Sequence, residues 1–232
     1  MLSQLQRLQT YTINRCLFFC LLGWGQVEDL LRIVLKLAPQ ESALDAINQG
    51  LYYLDSSATA ALLKELAKQG SIKRSVEIFD WLRALPSTHE LAHLCDLYTY
   101  TTMISQCGSH QQLRRALELV AEMRSRGILC NVHTYSALMN VCIKANELDL
   151  AQDVYKQMLE EGCTPNLVTY NILIDVHVKK GQWEEAVSIL TKLEQQVRHV
   201  VPFNTSLCIA ISYDTHSVHV PMMHTMLHNL PF

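Results

Sequence analysis

The feature that most constrains this chain is self-similarity at a period of 35 residues. Tyr100, Tyr135 and Tyr170 stand 35 residues apart, and the same offset carries Ala116 to Ala151 to Ala186 and Met123 to Met158 to Leu193. It also carries Gly127 to Gly162 and Asn131 to Asn166. Five columns in register over about a hundred residues mark an array of repeats, in which each unit buries its apolar face only against its neighbours.

Within a unit the apolar pattern is helical twice over. Tyr135, Leu138, Met139 and Cys142 fall at i, i+3, i+4 and i+7, one stripe of a first helix. Tyr100, Met103, Ile104 and Cys107 repeat it, and Tyr170, Leu173, Ile174 and His177 nearly so. A second helix is predicted from Leu113, Ala116, Leu117, Val120 and Met123, with counterparts Leu148, Ala151, Tyr155 and Met158, then Trp183, Ala186, Val187, Leu190 and Leu193. The alanine column suits close crossing of two helices. Gly127 and Gly162 are expected to end second helices. Gly108, Asn146 and Gly181 are expected to break the three hairpins. The expectation is an all-α fold, an α-solenoid of stacked antiparallel helix–turn–helix units.

The register divides the chain. Units run over 97–131, 132–166 and 167–196, the last one truncated, with a degenerate copy over 56–96. Residues 1–55 form an N-terminal helical region, and 26–50 offer a further helical pair out of register. The stretch Cys16–Leu22, after Arg7 and Arg15, reads either as a targeting segment or as the buried helix of an eroded repeat. After Gln196 the pattern stops, with Val197 where glycine is expected and Val201 where asparagine is expected. The tail 197–232 is expected to be poorly ordered.

Composition narrows the function classes. The chain is 49% apolar, enough for a core. A net charge of −3 excludes a protein that grips nucleic acid by phosphate neutralisation alone. Eight cysteines show no CxxC pair, and Cys107 and Cys142 fall 35 apart on helical stripes, so buried thiols in a reducing compartment are expected. The sequence has no apolar run long enough for a membrane span. His224 and His228 stand four residues apart with His216 and His219 nearby, but residues 216–232 hold no acidic residue or cysteine, and no metal site or other cofactor is expected. Neither a carboxylate cluster nor a zinc-deaminase signature is present, so catalysis is not expected.

The residues that repeat also resemble a known family. Val-His-Thr-Tyr-Ser-Ala-Leu-Met (132–139), Leu-Val-Thr-Tyr-Asn-Ile-Leu-Ile (167–174) and the Ala-x-x-Val-Tyr-x-x-Met-x-x-x-Gly-x-x-Pro-Asn ending at Asn166 resemble the pentatricopeptide repeat. The competing tetratricopeptide repeat has 34 residues and a Trp-x-x-Leu-Gly-x-x-Tyr opening that is missing here. The resemblance implies a plant or algal organellar protein, chloroplast or else mitochondrion, that binds single-stranded RNA at about one base per repeat. Such a protein would act in RNA processing, stability or translation, without chemistry of its own, beside other RNA-processing proteins.

The resemblance also implies site residues. Bases are recognised by the fifth residue of a repeat together with its last: Thr101 with Asn131, Ser136 with Asn166, and Asn171 with Val201 in the place of the polar partner. The second residues, Tyr98, His133 and Val168, would wedge between bases. A short hydroxyl plus a carboxamide can satisfy a Watson–Crick edge. In the family, Thr or Ser with a final Asn favours adenine and Asn in the fifth place a pyrimidine, so the expected preference is A-A-pyrimidine. Tyr98 and His133 replace a small aliphatic wedge, and both stacking and packing roles fit them. Residues 97–196 hold nine Lys or Arg against eleven Asp or Glu, so phosphate capture is weak. Arg114, Arg115, Lys179 and Lys180 are either phosphate contacts or a solvated face. Two rival readings are a protein–protein scaffold and a non-functional fragment of a longer array.

Overall fold

The computed structural model describes residues 26–38, 40–109 and 111–200, with side chains over 27–193 of that range. Among these residues it contains ten α-helices, one short 3-10 segment and no strand. The helices are α1 (Gln26–Lys36), α2 (Ala43–Leu51), α3 (Ser56–Lys68), α4 (Ile72–Ala84), α5 (Leu97–Ser109), α6 (Leu113–Ser125), α7 (Val132–Lys144), α8 (Leu148–Glu160), α9 (Leu167–Lys179) and α10 (Trp183–Val200), with the 3-10 turn Glu90–Leu94 before α5. The fold is an all-α solenoid of successive hairpins. The described residues up to Ala186 belong to one compact unit and those from Val187 to a second, of which the structure describes helix as far as Val200. The segment Cys16–Leu22 and the tail beyond Val200, with its histidines, lie outside the described residues.

The stripes explain the stacking. Tyr100, Met103, Ile104 and Cys107 of α5 are buried, as are Tyr135, Leu138, Met139 and Cys142 of α7. First helices pack in a row, α1 on α3, α3 on α5, α5 on α7 and α7 on α9, so residues 26–51 supply a further hairpin at the start of the row. Ala116 and Ala151 are fully buried where the two helices of a hairpin cross. Phe79 meets the edge of Tyr100 at 5.2 Å between ring centroids, across two hairpins. Two phenols reach α6 from either side: Tyr100 Oη of α5 donates to Glu122 at 2.9 Å, and Tyr135 Oη of α7 accepts from Arg124 at 3.1 Å. Burial pushes both phenols upward in pKa.

Polar ties bridge successive hairpins. Arg83 meets Glu122 at 3.1 Å and Arg124 meets Glu161 at 2.9 Å. Arg74 donates to the carbonyls of Val34, Leu37 and Ala38, in the last turn of α1 and just after it. Part-exposed pairs of this kind contribute little energy each, and their effect is on register.

Three expectations are corrected. Gly108 does not break its hairpin. It lies inside α5, buried, where a Cβ would come within 3.3 Å of Val141 and Lys144 on α7. Glycine is there because α5 and α7 approach closely. The left-handed residue of that turn is Gln111, with φ +54°, matching Asn146 at +61° and Gly181 at +72°. Second, Leu117 is 38% exposed, whereas Leu119 is buried. The buried face of α6 is Ala116, Leu119, Val120 and Met123, and Leu117 sits about 100° round the helix from Ala116. Third, Trp183 is 43% exposed, at the first turn of the last described helix.

Cys95, Cys107, Cys130 and Cys142 are buried free thiols and Cys163 is half-buried. Burial raises the pKa of the first three, and that of Cys142 is pushed up to about 11. Cys16, Cys20 and Cys208 lie outside the described residues.

Candidate functional site

The first turns of α5, α7 and α9 lie along the row of first helices, and each is opened by the last residue of the preceding unit. Asn131 has extended backbone (φ −117°, ψ 179°) and caps α7. Its Oδ1 accepts from the backbone N–H of His133 and of Thr134, both at 3.0 Å, and from the Thr134 hydroxyl at 3.1 Å. Asn166 caps α9 in the same way. Its Oδ1 takes the Thr169 N–H and the Thr169 hydroxyl, each at 3.0 Å, and its own N–H donates to Thr169 Oγ1 at 3.4 Å, which closes a capping box. Asp96 does the same for α5, accepting from Tyr98 N–H at 3.0 Å and Thr99 N–H at 3.3 Å.

A backbone N–H cannot donate to an amide NH2, so these bonds fix which way each carboxamide is turned. The Nδ2 groups of Asn131 and Asn166 have no acceptor among the described residues.

The fifth residues reach the same caps through one intermediary. Thr101 Oγ1 lies 2.9 Å from Thr134 Oγ1, and Ser136 Oγ lies 3.1 Å from Thr169 Oγ1. Thr101 and Asn131 are therefore joined through Thr134, and Ser136 and Asn166 through Thr169. Sequence reasoning missed both threonines. Thr99, Thr134 and Thr169 form another column at 35 residues, which was the available signal.

Exposure differs between the two kinds of site residue. Tyr98 is 58% exposed, Val168 is 54% exposed, and His133 is exposed. All three side chains reach solvent. Thr101, Asn131, Asn166 and Asn171 are half-buried and Ser136 is buried. The Asn171 side chain has no hydrogen-bond partner among the described residues, and Val201 lies outside them.

The basic pairs are matched within the protein. Arg114 pairs with Glu118 at 2.9 Å, Arg115 with Asp80 at 3.8 Å, and Lys179 with Asp175 at 2.9 Å. Lys180 joins Asp149 and Gln152 of the preceding hairpin. Lys144, in the last turn of α7, has no ion-pair partner among the described residues. No group of His, Cys, Asp and Glu with metal-holding geometry occurs among the described residues, and none of the described helices is long and apolar enough to cross a membrane.

Comparison with known proteins agrees with this architecture. The family model of the pentatricopeptide repeat domain matches residues 94–145 and 119–180, and that of the PPR repeat matches 168–196. Among solved structures, the pentatricopeptide repeat protein PPR10 from maize is similar over 66% of this chain, at 22% identity and a TM-score of 0.51. The match spans 21% of the maize chain. The PPR domain of Arabidopsis thaliana protein-only RNase P 1, solved in complex with tRNA, is similar over 89% of this chain and 96% of that one, at 16% identity and a TM-score of 0.54. Both likenesses are of fold. No curated protein sequence matches the chain.

Proposed function

This chain is a pentatricopeptide repeat protein, with its repeats matched over residues 94–196, and we propose that it binds single-stranded RNA along the first turns of α5, α7 and α9, one base to each repeat. The observation that carries this reading is the pairing of an exposed second residue with hydrogen-bonded fifth and last residues in two successive repeats, Tyr98 with Thr101 and Asn131, and His133 with Ser136 and Asn166. Tyr98 and His133 offer aromatic faces to solvent, and stacking on a base contributes about 1–3 kcal/mol per base. Thr101 with Asn131 and Ser136 with Asn166 take adenine, and Asn171 takes a pyrimidine, so the preferred site is A-A-pyrimidine. A peptide-binding scaffold gives no reason for polar pairs to recur in register at those places.

The chain acts by occupying its site rather than by chemistry. Its setting is organellar, with the chloroplast placed before the mitochondrion, in RNA processing, stability or translation, alongside other RNA-processing proteins. Because Arg114, Arg115, Lys179 and Lys180 are all paired within the protein, affinity rests more on base contacts than on phosphate capture. A gel-shift assay tests the reading: RNA carrying A-A-C or A-A-U is expected to bind more tightly than RNA carrying G-G-C or G-G-U. Equal affinity for the two sets defeats it.

A further inference from the structure

We infer that Thr134 and Thr169 are positioning residues for base recognition, each joining the fifth and last residues of a repeat into a hydrogen-bonded relay that decides which of them accepts and which donates. This rests on the RNA-reading function proposed above.

The argument is one of protons. A carboxamide oxygen carries none, so a hydroxyl 3.1 Å from Asn131 Oδ1 must donate to it. Thr134 has a single hydroxyl proton, and it goes to Asn131. The contact of 2.9 Å between Thr134 Oγ1 and Thr101 Oγ1 is then a hydrogen bond only if Thr101 donates. Thr101 is thereby left with lone pairs and no proton to offer, while Asn131 is left with the N–H bonds of Nδ2. The Ser136–Thr169–Asn166 set repeats the pattern, at 3.1 Å and 3.0 Å.

Each recognition pair therefore presents one acceptor and one donor in a fixed order. Adenine offers the complement on its Watson–Crick edge, the N6–H donor beside the N1 acceptor. Guanine carries the opposite order at the same two places, the O6 acceptor beside the N1–H donor. Cytosine shares adenine's order on a smaller ring, so the relay separates adenine from guanine, and reach separates purine from pyrimidine.

The α5 turn supplies an internal contrast. Thr99 occupies the same column, but the fifth residue of the unit before it is Ala60, which has no hydroxyl. There the Thr99 hydroxyl faces the backbone carbonyls of Leu94 at 3.1 Å and Asp96 at 3.0 Å instead. A buried threonine at this turn thus supports the helix start with or without a relay, and the relay forms where the fifth residue bears a hydroxyl.

The test uses the whole chain and fluorescein-labelled oligouridine-flanked RNAs carrying A-A-C, G-A-C or A-G-C, read by fluorescence anisotropy. T134V removes the hydroxyl and keeps the branched shape, and T134S restores it. T169V probes the second pair independently, should T134V fail to fold. T99V removes the equivalent hydroxyl that has no fifth-residue partner. T134V is expected to lower the preference for adenine over guanine at the first base by about twofold to tenfold, the worth of one net hydrogen bond, and to leave the second base unchanged. T169V is expected to do the reverse, T134S to keep the wild-type ratio, and T99V to lower the melting temperature with both ratios intact. If T134V and T169V melt lower yet keep both ratios, the threonines only cap helices and the inference is wrong. A wild-type chain without adenine preference overturns the RNA reading itself, before any variant is made.

Discussion

Asn131 occupies a place where stability and recognition are separable by substitution. Its carbonyl oxygen caps α7 through three hydrogen bonds, and its amide N–H groups are free for a ligand. N131A removes both. Loss of an asparagine cap costs about 1 kcal/mol, within a range of about 0.5–2. In a domain of roughly 150–250 residues that lowers the melting temperature by about 2–4 °C. N131D keeps oxygen acceptors at the cap and places a negative charge at the positive end of the helix, which adds about 0.3–1 kcal/mol. Its melting temperature is therefore expected to match or exceed that of the wild type. A carboxylate has no N–H, so N131D is expected to lose affinity for adenine at the first base by about twofold to tenfold even though it folds well. Thermal unfolding followed by circular dichroism at 222 nm, paired with anisotropy titration of the A-A-C and G-A-C RNAs, measures both. An N131D protein that melts as low as N131A would refute the cap assignment. One that keeps its preference for adenine would refute the donor assignment.

Two other predictions follow from backbone and burial. Gln111 holds φ +54° without being glycine, so Q111G is expected to stabilise the chain by about 0.5–1 kcal/mol in urea unfolding, whereas N146G changes little because asparagine tolerates this region; a loss of stability in Q111G contradicts the strain argument. Burial raises Cys95, Cys107, Cys130, Tyr100 and Tyr135 and lifts Cys142 from 9.0 to about 11, so the folded chain keeps protons that the unfolded chain releases. This stability is fully present below the unfolded thiol value and is lost as pH rises through the folded value. The melting temperature is therefore expected to fall between pH 9 and pH 11; a flat profile counts against the buried thiols and phenols.

The helical stripes were legible because burial in a solenoid repeats with the sequence, and Tyr100, Tyr135, Ala116 and Ala151 are buried as their columns require. Errors arose where residue identity competed with register. Gly108 looks like a breaker, yet Gly181, Asn146 and Gln111 stand 35 residues apart and mark the turn, while Gly108 answers to the close approach of α7. Leu117 fits a helical period as well as Leu119 does, and only the packing chooses between them. The fifth and last residues came from resemblance. Their coupling was not legible, because a threonine beside a tyrosine carries no sign of whether its hydroxyl meets a backbone carbonyl, as at Thr99, or another side chain, as at Thr134.

The hydroxyl bridge from Thr101 to Thr134 and back to Asn131 crosses the boundary between two repeats. A cassette cut at the repeat boundary, residues 97–131, carries both ends of that bridge and leaves its centre behind. Spliced into a foreign array, it takes whatever third residue its new neighbour supplies, and its behaviour then depends on the host. A cassette running from Tyr100 to Thr134 has the same length and moves the three together. Swapping modules among such arrays, in the laboratory or by recombination in a genome, is therefore expected to preserve specificity best when the breakpoints fall three residues inside the first helix.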